Sequence, residues 1–330
     1  MRKFLPLLVF LLCSVAIVTG QTGDDDDVIT VDSTLVRLNV GVVNQTGRPI
    51  KHLTAQDFAL FEDGVKQKIL NFEPTQAPFS VVMMLDMSGS TQGIRQNIRL
   101  AAGRFVDALG SEDRVAVLEF YDKINWLNDF SSERSRIYNS IQVANGKGKT
   151  QLYKALELAL DKLSKEGSRR KAIIVLTDGV DSALRDEDRK SLVDLEESKI
   201  PQSIKFETAP ALNAVLDKAS KQGVTVYPLA LPSGDPSILP DPTPAQVEMY
   251  GAARKRLDLL ATRTGGQLNA ITRMEEIGKL YVEVAASLRS LYTIEYQPTN
   301  ASKDGKWREI KVELNMTDLV ARTRPGYFAK

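Results

Sequence analysis

The stretch Val81-Val-Met-Met-Leu-Asp-Met-Ser-Gly-Ser90 decides the fold, because an unbroken apolar run ends in one carboxylate and two hydroxyls at alternate positions. Residues 80–85 are long enough for a strand buried on both faces, and such strands are typical of parallel sheets covered by helices. Asp86, Ser88 and Ser90 follow at the carboxyl end of that strand, the edge at which open α/β sheets bind ligands. Three oxygen donors on one tight turn suit a small, hard divalent cation.

Two later segments carry further candidate ligands for the same ion. The segment Arg170-Lys-Ala-Ile-Ile-Val-Leu-Thr-Asp-Gly179 is again an apolar strand that runs into a carboxylate, Asp178, and a turn glycine. Thr150 stands before a stretch whose apolar residues recur at helical spacing. Taken alone, Thr150 is better explained as a helix N-cap than as a metal ligand, since threonine at that position accepts a hydrogen bond from the free amides of the helix.

Together, these pieces resemble the metal-ion-dependent adhesion site of von Willebrand factor A-type domains. They are Asp-Met-Ser-Gly-Ser at 86–90, Gly-Lys-Thr at 148–150 and Thr-Asp-Gly at 177–179, in the order and with the gaps of that family. The first piece matches the family pattern Asp-x-Ser-x-Ser in full, and the resemblance spans residues 79–289. It implies that five residues hold a divalent ion, namely Asp86, Ser88, Ser90, Thr150 and Asp178.

The resemblance also implies how the ion is held and what it binds. The hydroxyls of Ser88, Ser90 and Thr150 would bind the ion, whereas the two carboxylates would hold it directly or through water. An ion with mostly neutral ligands keeps much of its charge and can accept an acidic group. The implied cofactor is Mg²⁺, which compact hydroxyl ligation favours, with Mn²⁺ and Ca²⁺ as alternatives. The implied partner is a protein ligand that presents an Asp or Glu carboxylate to the metal.

The fold class that we predict is α/β. A doubly wound, mostly parallel sheet of the von Willebrand A type, similar to a Rossmann fold, would be inserted in a small β-sandwich-like domain that both chain ends form. Strand and helix signals alternate in the middle of the chain, which is typical of parallel strands joined by helices. The predicted strands are 80–85, 114–120, 172–177 and 224–231, with an edge hairpin through Trp126. The predicted helices are 91–109, 133–142, 151–165, 211–222, 245–264 and 273–289.

The two ends of the chain have a different sequence pattern, in which apolar and polar residues alternate. This pattern covers residues 33–43 near the start and 292–323 near the end, and residues 58–72 are predicted to form a hairpin that turns at Asp63-Gly64. Because neither end has enough strands to bury a core alone, we expect the ends to pair. The predicted division is 1–20 signal peptide, 21–30 acidic linker, 31–78 and 290–330 the two parts of the β-domain, and 79–289 the A-type domain.

Two segments interrupt the strand and helix pattern near the predicted metal-bearing edge. Residues 181–210 combine a charged run with Pro201, which indicates a mobile helix and loop, and residues 232–244 are rich in proline. Insertions at this edge can shape the choice of partner, although plain surface loops are the simpler interpretation.

The start of the chain is typical of an exported protein. Met1-Arg-Lys3 precedes an apolar run from Phe4 to Val18 that is too short for a confident membrane span, and we expect cleavage after Gly20. The only cysteine, Cys13, lies in this segment, so the mature chain would hold no thiol and no transmembrane helix. We therefore predict a secreted or periplasmic protein. The segments 57–64 and 324–328 resemble secreted bacterial proteins related to the A-type family that are common in acidobacteria.

Charge and motifs argue against several other functions. The 43 basic and 42 acidic residues become 41 and 42 once Arg2 and Lys3 are removed. This nearly neutral net charge does not favour binding to nucleic acid. Residues 146–150 suggest a phosphate loop, but the full motif needs glycine at the position of Val143, so we exclude a nucleotide. Ser88 lacks the Gly-x-Ser-x-Gly turn that surrounds a serine nucleophile. The hydroxyls at positions 88 and 90 favour metal ligation over a role of Asp86 as a phosphorylated nucleophile.

These observations rank three functions from different classes. The expected function is an exported, Mg²⁺-dependent module for protein binding or adhesion, without enzymatic activity. The alternative is a structural or envelope-assembly component in which the metal only stabilises the fold. A metal-dependent hydrolase is the third.

Overall fold

The described part of the chain contains a six-stranded central sheet with helices on both faces, and two four-stranded antiparallel sheets. A computed structural model describes residues 35–46, 48–74, 77–167, 169–271 and 273–330. The predicted signal peptide, its cleavage site and the acidic linker lie outside the described residues. Within these ranges, we find no helix with the length and apolar character that a membrane crossing requires.

The strands of the central sheet are β5 Phe79–Asp86, β6 Arg114–Phe120, β7 Ile124–Ser131, β8 Arg170–Thr177, β9 Thr225–Ala230 and β10 Asn269–Ala270. Their order is β10-β9-β8-β5-β6-β7, and neighbouring strands are parallel except for the antiparallel edge strand β7. The apolar run of the sequence forms β5, which lies in the middle with every residue buried. Because the chain leaves β5 toward β6 on one side and β8 lies on the other, the carboxyl end of β5 is the switch point where a crevice forms.

Seven α-helices accompany the described strands: α1 Arg95–Ala108, α2 Arg134–Val143, α3 Leu152–Leu163, α4 Ser182–Leu192, α5 Pro210–Gln222, α6 Pro244–Thr264 and α7 Ile277–Leu288. Alternate residues of β5 point to opposite faces of the sheet, as the two-residue period of a strand requires. Val81, Met83 and Leu85 pack into one apolar core with α1, α2 and α7. Val82 and Met84 pack into the other with α3, α5 and α6. The predicted doubly wound α/β fold is confirmed.

The helix predicted to begin at residue 91 is shorter than expected. Residues Gly89–Ile94 form a 3₁₀ turn, and the α-helix begins only at Arg95. The hydroxyl of Thr91 donates to the backbone oxygens of Asp86 and Ser88, at 2.9 and 3.1 Å. These bonds close the chain tightly behind the candidate ligands, so regular α-helical geometry starts one turn later.

The two antiparallel sheets are built from both ends of the chain, which confirms the predicted pairing. Their strand orders are β13-β1-β11-β4 and β14-β12-β2-β3. The strands from the start are β1 Val36–Asn44, β2 Phe58–Glu62, β3 Val65–Gln67 and β4 Ile69–Glu73. Those from the end are β11 Leu291–Tyr296, β12 Trp307–Leu314, β13 Leu319–Arg322 and β14 Gly326–Phe328. Each sheet therefore takes two strands from each end, and the apolar residues of both sheets meet in a third core.

The hairpin predicted over residues 58–72 is correct only in its first half. Strands β2 and β3 pair around the Asp63-Gly64 turn, but β4 leaves them and pairs with β11 in the other sheet. The alternating pattern runs through residues 65–73 without a visible break. Only the tertiary partners decide that the chain changes sheets between Gln67 and Ile69.

Candidate metal centre

The first ligand turn follows directly from β5 and holds the carboxylate of Asp86 in a fixed orientation. Asp86 is fully buried. Its Oδ1 accepts the backbone amide of Ser88 at 3.0 Å, and its Oδ2 accepts the Thr177 hydroxyl at 2.6 Å. Since Thr177 is the last residue of β8, this bond connects the carboxyl ends of the two neighbouring strands.

The two serines of the turn lie side by side. Their hydroxyl oxygens are 3.2 Å apart, and Ser88 is buried whereas Ser90 is exposed. The amide of Gly89, between them, donates to the backbone oxygen of Gly148 at 3.0 Å. This bond connects the first ligand turn to the segment that carries Thr150.

Thr150 is held by the segment after β8 and not by the helix that follows it. Its amide donates to the Ser182 hydroxyl at 2.9 Å, and its carbonyl accepts the Ser182 amide at 3.0 Å. The residue at the N-cap of α3 is Gln151, and no side-chain capping bond is made there. The interpretation of Thr150 as an N-cap is therefore wrong, because Thr150 lies one residue before that position.

Asp178 follows β8 and is also buried, so that two carboxylates share an interior site. Burial raises the pKa of Asp86 to about 7, and the carboxylate of Asp178 adds to this shift. Burial also raises the pKa of Asp178, which the hydroxyls of Ser90 and Ser233 oppose. Each carboxylate makes the charged form of the other less favourable, and a bound cation would offset this repulsion.

The donor set of the five candidate residues fits a hard divalent cation. Hydrogen bonds or electrostatic interactions connect four of them, namely Asp86, Ser88, Ser90 and Asp178. Thr150 lines the same cavity as Ser90 and Asp178. Nowhere in the described ranges do three or more His, Cys, Asp or Glu side chains gather into a metal-binding group. Two carboxylates with three hydroxyls offer only oxygen, which Mg²⁺ prefers.

A cavity of about 510 Å³ opens beside these residues. Both insertions line it, since Arg185 and Arg189 come from residues 181–210 and Gly234, Pro236 and Leu239 from residues 232–244. Helix α4 agrees with the helix and loop predicted for residues 181–210, and it forms part of the cavity wall.

Three residues beside the candidate ligands were not found from the sequence. Asp122 follows β6 at the same sheet edge and accepts the Lys149 amide at 2.6 Å, so a search of every strand end for carboxylates would have found it. The buried Ser233 hydroxyl lies beside Asp178 without hydrogen-bond geometry to any described group. The charge of Arg254, a residue of α6, opposes part of the rise in the pKa of Asp178 that burial causes, and no sequence signal marks that interaction.

Comparisons with known proteins agree with this fold. A family model described as von Willebrand factor type A domain matches residues 81–180. Residues 81–180 are therefore similar to this family, which confirms the resemblance drawn from the motifs. A search of curated proteins gave no match.

Several solved structures are similar to the chain. The vWF domain of the type V pili tip protein Mfa5 from Porphyromonas gingivalis is 17% identical with a TM-score of 0.47, and the match covers 64% of this chain and 95% of that one. A von Willebrand factor type A protein from Catenulispora acidiphila is 13% identical with a TM-score of 0.48, covering 91% and 74%. Proximal thread matrix protein 1 from the mussel byssus, with a zinc-occupied MIDAS motif, is 15% identical with a TM-score of 0.46, covering 68% and 49%.

Proposed function

We propose that this protein is an exported, non-enzymatic binding module that captures a carboxylate of a protein ligand through Mg²⁺. Five residues would hold the ion: Asp86, Ser88, Ser90, Thr150 and Asp178. The observation that carries the proposal is the meeting of two buried carboxylates with hydroxyl donors at the carboxyl edge of the central sheet, beside a cavity of about 510 Å³.

The chemistry of these residues supports capture of an acidic group. The bound ion would supply a positive charge that the neutral hydroxyls leave largely uncompensated. Asp86 is oriented by Thr177 and by the Ser88 amide, so its carboxylate is preorganised to hold the ion. Ser90 is exposed beside the cavity, so a ligand can reach the ion from that side. A protein carboxylate is the natural match, because hard divalent cations take oxygen ligands.

One observation favours the alternative of a structural or envelope-assembly component. Burial, followed by the charge of Asp178, raises the pKa of Asp86 to about 7, so the charged carboxylates raise the free energy of the folded state. An ion between them would stabilise the fold even without a ligand. The two functions therefore differ in whether the metal is required for partner capture.

The test measures both properties on the same protein. Residues 21–330 are immobilised, proteins from the extracellular and envelope fractions of the source cells are applied with Mg²⁺, and retained proteins are eluted with EDTA. Melting temperature is recorded with Mg²⁺, Mn²⁺, Ca²⁺ and EDTA. Asp86→Asn is the matched control, since asparagine keeps an oxygen acceptor for the Ser88 amide.

We expect Mg²⁺-dependent retention that EDTA reverses and that Asp86→Asn abolishes. The structural alternative would be favoured if Mg²⁺ raised the melting temperature while EDTA failed to release the retained proteins.

A further inference from the structure

The walls of the cavity beside the candidate metal centre are positively charged. Three cationic side chains line it, Lys149, Arg185 and Arg189, against two carboxylates, Asp122 and Asp178. A divalent ion at the candidate centre would add two further positive charges. Because low-dielectric walls strengthen the field inside a cleft, this cavity favours a ligand with more than one negative group.

Helix α4 carries two of these cations on its cavity side. Arg185 and Arg189 are four residues apart, so they lie on one face of the helix about one turn apart. The Asp181 side chain caps the helix by accepting the amides of Ala183 and Leu184. Asp188, three residues after Arg185, forms a buried ion pair with Arg256 that restrains the rotation of α4 about its axis.

That ion pair joins α4 to α6. The two guanidinium nitrogens Nη1 and Nη2 of Arg256 donate to the two carboxylate oxygens of Asp188 at 2.6 and 2.7 Å. Both residues are buried. Such a bidentate pair restricts the geometry of both partners, so it holds in place the helix from which the two cavity arginines project.

The two cavity arginines have little of their charge compensated within the protein. Both contact the same atom, Asp186 Oδ1, at the long distances of 3.5 Å from Arg185 and 3.9 Å from Arg189. Within the described ranges, Nε of Arg185 is buried and has no hydrogen-bond partner. Guanidinium groups bind carboxylates through paired N–H donors, so this face is suited to a second carboxylate.

Part of the cavity lining is apolar. Leu239 is 43% exposed, and Met249 and Tyr250 of α6 also line the cavity. An apolar side chain of a ligand would be buried against these residues. The volume of about 510 Å³ lies within the range of roughly 300–1,000 Å³ typical of small-ligand sites. It therefore admits a few side chains of an extended segment and not a folded surface.

We propose that the protein ligand is an extended acidic segment with two carboxylates and an apolar side chain near them. The first carboxylate would bind the metal, the second would bind Arg185 and Arg189, and the apolar side chain would contact Leu239 and Met249. This inference rests on the proposed function, because the first contact needs the metal. The arginine contact is independent of it and specific to the insertion at 181–210.

The test uses synthetic peptides and four variants of the mature chain. Blocked, fluorescently labelled peptides carry Asp and Leu in a Gly-Ser background, with Glu placed one, two or three residues after the Asp. In the single-acid partner of each peptide, Gln replaces that Glu. Fluorescence polarisation measures Kd with Mg²⁺ and with EDTA for the unmodified chain, Arg185→Gln, Arg189→Gln, the double variant, and Lys190→Gln. Lys190 is the matched control, since it is an exposed cation of α4 that does not line the cavity.

We expect the best two-acid peptide to bind the unmodified chain about fivefold more tightly than its single-acid partner, as one partly exposed ion pair allows. Arg185→Gln and Arg189→Gln should each reduce this preference, the double variant should remove it, and Lys190→Gln should keep it. Mg²⁺ affinity should not fall in any of the four variants, because each removes a cation and none removes a proposed metal ligand. Melting temperature should stay unchanged, because these side chains are partly or fully exposed. The preference should also shrink in high salt.

Two results would overturn the inference, and they differ in what they say of the proposed function. A two-acid preference that is missing, or that survives in the double arginine variant, refutes the arginine contact. If the single-acid peptides still bind only with Mg²⁺, the proposed function stands. If no peptide binding responds to EDTA, both the inference and the proposed function fail.

Discussion

Asp86 is the residue on which the candidate metal centre depends most. It is fully buried at the end of β5 and interacts with the second carboxylate, Asp178. We expect Asp86→Ala to abolish Mg²⁺ binding and to leave the fold largely intact. The lost acceptor leaves the Ser88 amide and the Thr177 hydroxyl without their partner, at about 1–3 kcal/mol of folding free energy, and the relief of repulsion with Asp178 offsets part of this cost.

Isothermal titration calorimetry with Mg²⁺ measures this effect, and circular dichroism checks the fold. Asp161→Asn serves as the control, because Asp161 is an exposed carboxylate of α3 that pairs with Lys218. Unchanged Mg²⁺ affinity in Asp86→Ala would refute the metal assignment.

Substitution of Thr150 tests whether its hydroxyl contributes to metal-dependent binding and not to folding. Since the N-cap of α3 is Gln151, Thr150→Ala should cost less than the roughly 0.5–2 kcal/mol that the loss of a cap costs. Mg²⁺-dependent partner binding should nevertheless weaken strongly. Chemical denaturation and the retention assay measure the two effects, and Thr150→Ser, which keeps the hydroxyl, should behave like the unmodified chain. A loss confined to stability would contradict the ligand role.

At the scale of elements, α4 illustrates how one buried ion pair places a functional helix. Breaking such a pair leaves an uncompensated buried charge and costs about 3–5 kcal/mol of unfolding free energy. We expect Arg256→Met to cause a loss of this size, since Asp188 would remain buried. Urea unfolding measures the loss, and limited proteolysis should show new cleavage within residues 181–210.

Two variants control this experiment. The double variant Arg256→Met with Asp188→Leu should recover most of the stability, because a buried pair replaced by apolar groups is often neutral. Lys199→Ala removes an exposed pair with Glu196 and should change little. Full stability of Arg256→Met would mean that the ion pair does not hold α4.

At the scale of the whole molecule, the β-domain depends on both ends of the chain. Strand β11 lies between β1 and β4, and β12 pairs with β2. We expect deletion of residues 290–330 to unfold the strands of residues 31–78, because each of the two sheets would lose half of its strands. Limited proteolysis with mass spectrometry should detect rapid cleavage there. Resistance of that segment would show that the two ends are independent.

The same architecture predicts that a fragment of residues 77–290 folds and keeps its Mg²⁺ affinity, because it contains all five candidate ligands and, except for Leu291, both apolar cores of the central sheet. Its melting temperature should be lower than that of the full chain. It lacks the bond from Asn39 Nδ2 to Thr225 Oγ1, at 2.9 Å, and that from Arg324 Nη1 to the Ser220 carbonyl, at 2.8 Å. Calorimetry of the fragment beside the full chain measures both properties, and loss of Mg²⁺ binding in a folded fragment would contradict the division.

The sequence by itself determined the fold class and the order of the main elements. Buried parallel strands and amphipathic helices are local patterns of apolar residues, so 80–85 and 172–177 could be assigned as strands without knowing their neighbours. Four of the five candidate ligands could also be proposed from the residues alone, because they follow strand ends that meet at one edge of a doubly wound sheet, whereas Thr150 was implied by the resemblance to the von Willebrand factor A-type family.

Only the tertiary structure decided the features that depend on contacts between distant residues. The raised pKa of Asp86 needs the burial and the second carboxylate that folding supplies. The switch of the chain between two sheets after Gln67 depends on β11, more than 200 residues later. The orientation of Arg185 and Arg189 depends on the pair between Asp188 and Arg256, which no local pattern indicates. Local composition determines which elements form, whereas long-range packing and electrostatics determine which side chains share a site.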